Sequence, residues 1–494
     1  MKNINFVAKR KVLMLAGILT MGGFYSCSED FLDVEPEGQA VSEQFFVTPD
    51  QAVQSVTAIY GHLKDFNVSA FPHLAITTIA SDDAGKGSVP GDAGYLEDYD
   101  NLTFTPSIGL LDGYWVAQYQ GINLANQSIS NIPAIEMDQA LKERLIAEAK
   151  FLRAYYYFNL VRTFGGVPLR TTVPVPPTEP EDPAQLNPER ASEEAVYEQI
   201  IGDLTDASQV LPATYSAADA GRATNGAALA LLAKVQLYQK NWSEVLSLTE
   251  QVMGMGYSLT PNYHDNFTIA GENNNESIFE IQAQTIPGNC DASNSQWAEV
   301  QGVRSQFGWG FVEPTEDLVN AFEEGDERLD ATILFRGETT PEGDKIIENA
   351  PNPRYNQKAY VPSYVTRQCG YGRDQNIRIL RYAEVLLMHS EAANEQGLVE
   401  KALFSLNMVR ERAGLDPIES ASQQELRNII WHERRVELAL ENGDRFYDLV
   451  RQGRAAEVLQ AQGKQFTENK NELYPIPQRQ IDLSGGTLTQ NPGY

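Results

Sequence analysis

The side chains that could carry catalysis are scattered along this chain. It contains no G-x-S-x-G, P-loop, H-E-x-x-H or C-x-x-C motif, the spacings that place a nucleophile, a phosphate-binding loop or a metal in many enzymes. The five histidines lie far apart: His62, His73, His264, His389 and His432. A glycosidase needs only two carboxylates, and none of the 67 acidic residues stands out by position. The sequence therefore favours a protein that is not an enzyme, with a surface glycoside hydrolase as the alternative.

Two acidic segments offer oxygen ligands for calcium. Asp82, Asp83 and Asp92 lie in the first, and Asp265 lies in the second, HDNFTIAGENNNESIF. Calcium prefers such ligands, but neither segment has the spacing of an EF-hand loop. Turn-forming Asp and Asn side chains explain both segments more simply. We therefore expect no cofactor and leave calcium open.

One charged stretch, near the C-terminus, is RRVELALENGDRFYDLVRQGR. Its charged residues include Arg434, Arg435, Glu437, Glu441, Asp444, Arg445 and Asp448. The stretch could bind an ion or a partner, but opposite charges at helical spacing more often form ion pairs within a scaffold. We interpret it as scaffold.

Amphipathic helical patterns fill most of the chain and must position these groups. The first helix is predicted to begin at Thr48-Pro49-Asp50-Gln51, which fits a capping box. Further helical patterns cover 114–133, 141–166, 192–212, 225–256 and 379–415, and Gly165-Gly166 should end the second of these. Within 225–256, two helices should meet at Gln239–Trp242.

Three segments lack this helical period. Residues 70–113 are rich in Gly, Asp and Tyr and predict a long loop. Residues 171–190 hold six prolines and predict a stiff, extended connector. Residues 257–375 are rich in Asn, Gly, Gln and aromatic residues, which favours polar strands and loops.

The N-terminus indicates export. A basic segment precedes Val12–Phe24, an apolar stretch too short to span a membrane, so a signal peptide over residues 1–26 is predicted. Cys27 follows at the expected cleavage site and resembles the lipid-attachment cysteine of a bacterial lipoprotein. The net charge of −29 argues against nucleic acid as a partner. Cys290 and Cys369 form a disulfide or remain two inert thiols, and we favour the thiols.

Several phrases, in their order, resemble the starch-utilisation D family, also called RagB/SusD, of Bacteroidetes outer-membrane lipoproteins that bind glycans. They are FLDVEPEGQAVSEQFFVTPDQAV, YWVAQYQGINLANQSI, AEAKFLRAYYYFNLVRTFGGVPL, RASEEAVYEQIIGDL, RYAEVLLMHSEAAN, NMVRERAGL, HERRVELALENGDRFYDLVRQG, YPIPQRQID and TQNPGY. One departure is ALENGDRF, where the family more often has Phe-Glu-Gly-x-Arg-Phe. Together the phrases extend over nearly the whole chain after Cys27.

The resemblance implies a mainly α fold in one body over residues 27–494. Four degenerate tetratricopeptide-like hairpins would form the scaffold, at about 40–256 and 376–460. An irregular portion with loops and short strands, at about 70–113 and 257–375, would hold the ligand site. The resemblance also implies a cell-surface location at the outer membrane through a lipid on Cys27, and a TonB-dependent β-barrel transporter (SusC-like) as partner.

With a glycan as the expected ligand, the segment NCDASNSQWAEVQGVRSQFGWGF becomes the most informative. Sugars present apolar C–H faces and rings of hydroxyl groups, so a binder needs flat aromatic rings beside amide, carboxylate and guanidinium groups. Trp297 is predicted to be the main stacking residue. The other candidates in this segment and in the loop at 82–99 are Trp309, Tyr99, Tyr95, Asp83, Lys86, Asn294, Arg304 and Phe307, whereas Trp115 is expected in the core. A related lipoprotein need not bind a sugar, so a peptide or other nutrient remains a further alternative.

Overall fold

Helical hairpins make up most of the computed structural model, which describes residues 45–173, 189–365 and 371–494. Thr48–Tyr494 forms one compact unit. The predicted signal peptide, Cys27, most of the proline-rich connector (174–188) and Cys369 lie outside the described residues. Within the described part, none of the helices combines the length and apolar character needed to span a membrane.

The α-helices in chain order are α1 Pro49–His62, α2 Phe66–Ser69, α3 Phe71–Leu74, α4 Leu96–Asp100, α5 Gly109–Asn131, α6 Gln139–Phe164, α7 Glu193–Val210, α8 Asn225–Tyr238, α9 Trp242–Met253, α10 Trp297–Gln301, α11 Glu316–Ala321, α12 Arg328–Thr332, α13 Tyr382–Glu395, α14 Val399–Arg412, α15 Gln423–Leu438, α16 Asp444–Arg451, α17 Ala455–Ala461 and α18 Gln478–Leu483. A π-helical turn, Ala75–Ile79, follows α3. Short 3-10 turns lie at Ile132–Ala134, Ala217–Asp219, Tyr263–Phe267, Cys290–Ala292 and Gln357–Ala359. The strands are β1 Ala84–Gly87, β2 Ser277–Ile281, β3 Phe311–Pro314, β4 Ile333–Phe335, β5 Arg354–Asn356 and β6 Ile377–Arg381.

Local sequence signals set the ends of the helices as predicted. The Thr48 hydroxyl accepts a hydrogen bond from the Gln51 N–H (3.3 Å), and the Gln51 side-chain oxygen accepts one from the Thr48 N–H (2.9 Å). At the end of α6, Gly165 has a φ of +72°, a conformation that glycine adopts without strain. The capping box and the glycine stop are both confirmed.

The mainly helical fold class is confirmed, and small residues let its helices pack closely. A Cβ at Gly121, on α5, would lie 2.3 Å from the ring of Tyr156 on α6, so only glycine permits this approach. Trp115, also on α5, is buried as expected. The turn between α8 and α9 lies at the predicted position, and α13 and α14 form a second helical hairpin of the same kind.

Residues 70–113, expected as a long loop, are mostly built from short elements. They contain α3, the π-helical turn, β1, α4 and the start of α5. Buried polar side chains in these residues form hydrogen bonds with nearby backbone carbonyls, which offsets the cost of burial. The Thr77 hydroxyl donates to the His73 carbonyl (2.7 Å), and the Ser81 hydroxyl donates to the Thr78 carbonyl (2.7 Å). The expectation of a long loop was wrong, because elements of four or five residues leave no period in a sequence.

The charged stretch covers the end of α15 and all of α16, and its ion pairs are buried. Asp444 lies between the guanidinium of Arg162 (3.1 Å) and the ammonium of Lys234 (2.7 Å). Glu437 contacts arginines from three other segments, and although burial alone would raise its pKa, Arg412 and Arg381 hold that pKa below its ordinary value. The interpretation as scaffold is confirmed, with deeper burial than expected.

The described strands pair into three two-stranded antiparallel sheets, β1–β3, β2–β6 and β4–β5. In the first, Ala84 faces Pro314 and Gly87 faces Phe311. This pairing joins the 82–99 segment to the aromatic segment that ends at Phe311, more than 200 residues later.

Candidate glycan-binding surface

A polar and aromatic surface lies where β1 and β3 end. We call it the Arg304 surface and define it by Ser88, Asp92, Tyr95, Arg304 and Trp309. The Ser88 N–H donates to the Gly310 carbonyl (2.6 Å), which extends the β1–β3 pairing by one bond. The surface therefore combines two distant chain segments that a short sheet holds together.

The Arg304 guanidinium is the centre of this surface. Its Nη1 contacts Asp92 Oδ2 (2.5 Å) and donates to the Ser88 hydroxyl (2.6 Å) and the Trp309 carbonyl (3.0 Å). The Ser88 hydroxyl in turn donates to Asp92 (2.8 Å). The bond from Ser88, with the charge of Arg304, holds the pKa of Asp92 below its ordinary value, so the pair is charged at neutral pH.

Two aromatic residues, Tyr95 and Trp309, belong to the same two segments as this ion pair. Tyr95 is 45 % exposed, and partial burial, together with the nearby charge of Asp92, raises the pKa of the phenol, which is therefore neutral. Trp309 is half-buried, and its ring meets Phe71 edge-on at 6.2 Å between centroids. Both rings keep part of their surface exposed to solvent.

Glycines fix the turn that presents Trp309. Gly310 has a φ of +80°, and a Cβ there would lie 2.9 Å from the Cβ of Arg304. A Cβ at Gly308 would lie 2.2 Å from the Glu299 carbonyl oxygen. The sequence Gly-Trp-Gly is therefore required by the close approach of backbone segments, which positions Trp309 beside Arg304.

Four predicted site residues are buried away from this surface. Trp297 is 4 % exposed at the start of α10, and Tyr99 has no exposed area and packs on Phe104 (5.8 Å between centroids). The expectation that Trp297 is the main stacking residue does not fit this geometry, because stacking needs an exposed ring face. Asn294 is fully buried, and its side chain bonds to the backbone of Gln375 (3.1 Å) and Arg373 (2.9 Å).

Asp83 is the fourth, and with Asp82 it was also a candidate calcium ligand. Asp82 accepts two hydrogen bonds from the Arg445 guanidinium, each 2.8 Å, and Asp83 accepts one from Arg435 (2.8 Å). These carboxylates are therefore engaged in buried ion pairs. Among the described residues, no group of three or more His, Cys, Asp or Glu side chains is arranged to hold a metal ion.

Among the remaining candidates, Lys86 is also buried. The Lys86 ammonium lies 3.4 Å from Glu97, and little of its side chain is exposed. Phe307 is half-buried and meets Tyr360 edge-on at 5.3 Å. Whether these residues, Tyr95, Arg304 or Trp309 touch a ligand stays a prediction.

Cys290 forms a disulfide bond. Our preference for free thiols is therefore wrong for Cys290. Cys369 lies outside the described residues.

Sequence reasoning missed Ser88 and Phe71, which orient Arg304 and Trp309. Neither residue type is distinctive for binding. The available signal was the glycine-rich Gly85-Lys86-Gly87, because Gly87 has a φ of +69° and a Cβ there would lie 2.7 Å from the Gly310 carbonyl oxygen.

Comparison with known proteins identifies the family. A profile described as "SusD family" matches residues 250–494, and one described as "Starch-binding associating with outer membrane" matches residues 30–237. SusD-like protein P2 of Formosa agariphila is 30 % identical over 98 % of this chain and 100 % of its own length. This chain belongs to the SusD family. SusD-family proteins bind glycans, associate with the outer membrane and are not catalytic, which agrees with the resemblance seen in the sequence.

Solved structures of SusD-like proteins share the fold. A laminarin-binding SusD-like protein superposes with a TM-score of 0.78 at 30 % identity and covers 91 % of this chain and 100 % of its own. Surface glycan-binding protein A from Bacteroides fluxus gives a TM-score of 0.77 at 27 % identity, with 91 % and 100 % covered. The scaffold is therefore the one that SusD-like proteins use.

Proposed function

We propose that this SusD-family protein captures a neutral polysaccharide at the Arg304 surface, on the outside of the cell, and delivers it to a TonB-dependent transporter. The observation that supports the surface most directly is the guanidinium of Arg304, fixed by Asp92, Ser88 and the carbonyl of the half-buried Trp309, with the exposed Tyr95 on the same loop as Asp92. A laminarin-type β-glucan is the first candidate ligand, since a relative of 30 % identity binds laminarin.

The polar groups of this surface have capacity left for a ligand. Within the described residues, the hydrogen bonds of the Arg304 guanidinium all come from Nη1. Its Nε and Nη2 can therefore donate to sugar hydroxyls, and Asp92 can accept from them. Because Asp92 and Ser88 already fix the guanidinium, binding a sugar costs little side-chain entropy.

The aromatic rings supply the apolar part of the contact. Pyranose rings have C–H faces that pack against flat aromatic rings, and neither Tyr95 nor Trp309 carries a charge. The tyrosine hydroxyl and the indole N–H can also bond to a sugar. This combination suits a neutral, hydroxyl-rich polymer better than a peptide.

Anchoring and delivery rest on the sequence and the family. Cys27 is proposed to be acylated after removal of residues 1–26, which tethers the protein to the outer membrane. A Cys27→Ala variant should lose this anchor, and unchanged membrane fractionation would contradict it. Purification from mildly solubilised outer membranes should recover a much larger β-barrel protein, and recovery of the lipoprotein alone would argue against the transporter partner.

Calorimetry with laminarin, starch and xylan tests the binding proposal. Trp309→Ala and Arg304→Ala should each weaken binding of the cognate glycan by about thirtyfold, as expected for a residue that contributes about 2 kcal/mol. Phe404→Ala is the matched control, because Phe404 is 60 % exposed but lies on α14, outside the Arg304 surface. Full affinity in both surface variants would refute the site, and release of reducing sugar by purified protein would favour the hydrolase alternative.

A further inference from the structure

A second concave site lies between residues 264–270 and 341–365. It is a cavity of about 550 Å³, within the range of roughly 300–1,000 Å³ typical of small-molecule sites. We call it the Gln357 cavity, after the amide side chain in its lining. It lies within the irregular portion at 257–375, and Asp265 in its lining was a candidate calcium ligand.

Unpaired polar groups face this cavity. Gln357 is 2 % exposed, yet neither its amide oxygen nor its amide nitrogen has a hydrogen-bond partner among the described residues. Glu342 bonds through Oε1 to His264 (2.8 Å), whereas its buried Oε2 has no partner in the same part of the chain. Burying such groups unpaired costs free energy, so a ligand that both donates and accepts hydrogen bonds would be held there.

The rest of the lining is apolar and aromatic. Tyr364 is 72 % exposed at the edge of the cavity, and Phe267, Tyr360 and Pro341 also line it. The ligand therefore needs apolar faces as well as polar edges. A sugar ring has both, with hydroxyl groups around its rim and C–H groups on its faces.

The charge of the cavity argues against anionic ligands. Three carboxylates line the cavity, Asp265, Glu342 and Asp374, against the single histidine His264. An anion such as phosphate would be repelled. The geometry points to a neutral sugar, and we infer that the Gln357 cavity is a second carbohydrate-binding site, separate from the Arg304 surface.

The two sites are neighbours in the fold. Tyr360, in the cavity lining, packs edge-on against Phe307, three residues after Arg304. If one polysaccharide chain binds at both sites, the first contact holds the rest of the chain at a high effective concentration near the second site, which raises the overall affinity. The cavity would then favour polymers over short oligosaccharides.

Saturation-transfer NMR with laminaribiose, and calorimetry with laminarin, test this site. Gln357→Leu removes the amide at similar volume, and Tyr364→Ala removes the exposed ring. Each should weaken laminarin binding by about tenfold through loss of the second contact. Saturation transfer to laminaribiose should persist in Trp309→Ala and disappear in the Trp309→Ala, Gln357→Leu double variant.

Gln118→Leu is the matched control for the amide. Gln118 is also fully buried with neither side-chain amide atom partnered among the described residues, but it lies on α5 and does not line the cavity. Its substitution should leave sugar binding unchanged.

The outcomes separate the two proposals. Wild-type binding in Gln357→Leu and Tyr364→Ala, with loss of binding in Trp309→Ala, overturns the cavity site and keeps the Arg304 surface. Loss of binding in Gln357→Leu, with full binding in Trp309→Ala, overturns the Arg304 surface and keeps the cavity site. Absence of saturation transfer from the wild-type protein to laminaribiose would overturn the cavity site. The cavity site would also be overturned if calcium chloride raised the melting temperature of the wild type but not that of Gln357→Leu, because the cavity would then bind calcium.

Discussion

Two tryptophans of the same segment should respond in opposite ways to the same substitution. Trp297 is 4 % exposed in α10, whereas Trp309 is half-buried on the Arg304 surface. Burial of a large aromatic side chain removes about 200 Å² from water, which at about 25 cal/mol per Å² corresponds to about 5 kcal/mol. Trp297→Ala should therefore lower the free energy of unfolding by about 3–5 kcal/mol, because a cavity remains in its place.

The glycan affinity should change more in Trp309→Ala than in Trp297→Ala. Trp297→Ala should keep wild-type affinity at temperatures where it is folded, since its ring has almost no exposed area to offer. Trp309→Ala should lose affinity by about thirtyfold and retain most of its stability, because the half-buried ring leaves a smaller cavity.

Urea unfolding and calorimetric titration of both variants measure the two quantities side by side. A Trp297→Ala protein with wild-type stability and no glycan binding would refute our assignment of Trp297 to packing. It would restore the original prediction that Trp297 is the main stacking residue.

Three further predictions concern pH, buried charge and the glycine turn. Burial raises the pKa of Glu272 to about 7, so the folded chain holds this proton more tightly than the unfolded chain, and stability should fall as pH rises from about 4.5 to about 7. Glu272→Gln should therefore melt at a higher temperature than wild type at pH 8 and at the same temperature at pH 5. The same difference in melting temperature at both pH values would contradict this. Asp444→Asn leaves Arg162 and Lys234 short of a carboxylate and should cost about 3–5 kcal/mol in urea unfolding, whereas Glu348→Gln, in an exposed pair, should cost under about 1 kcal/mol. Gly310→Ala should displace Arg304 and weaken glycan binding. Gly325 has a similar φ of +87° but open space around it, so Gly325→Ala should strain the backbone without changing glycan affinity. Equal glycan affinities in the two variants would rule out this role for Gly310.

The helical scaffold could be predicted because its signals are local. Capping residues, glycine stops and apolar periodicity all act within a few positions, so Thr48, Gly165 and the turn at Gln239–Trp242 were visible in the sequence. The π-helical turn and the helices of four residues have no such pattern. They form because tertiary contacts stabilise them, as at Ile76, whose carbonyl accepts a hydrogen bond from the distant Tyr474 hydroxyl (2.7 Å).

The two segments of the proposed site stand out in the sequence, but which of their side chains reach the surface could not be predicted. Composition singled out both 82–99 and the aromatic segment, and β1–β3 does bring them together. Whether a tryptophan faces solvent depends on contacts with distant residues. Trp309 meets Phe71, and the next residue, Gly310, accepts a hydrogen bond from the Ser88 N–H; no sequence spacing predicts either contact.

The hydrogen bonds from Arg304 to Asp92 and to Ser88 on the Arg304 surface join residues 212 and 216 positions apart in the chain. No fragment of the protein contains this surface, and it exists only after the intervening helices have folded. A glycan held there has affinity for the native chain alone, and at a concentration about 100 times its Kd it adds about 2.7 kcal/mol to the stability of that state. Under the proposed function, the polysaccharide would thus protect its own receptor from unfolding and proteolysis, and the protection would disappear when the nutrient is exhausted.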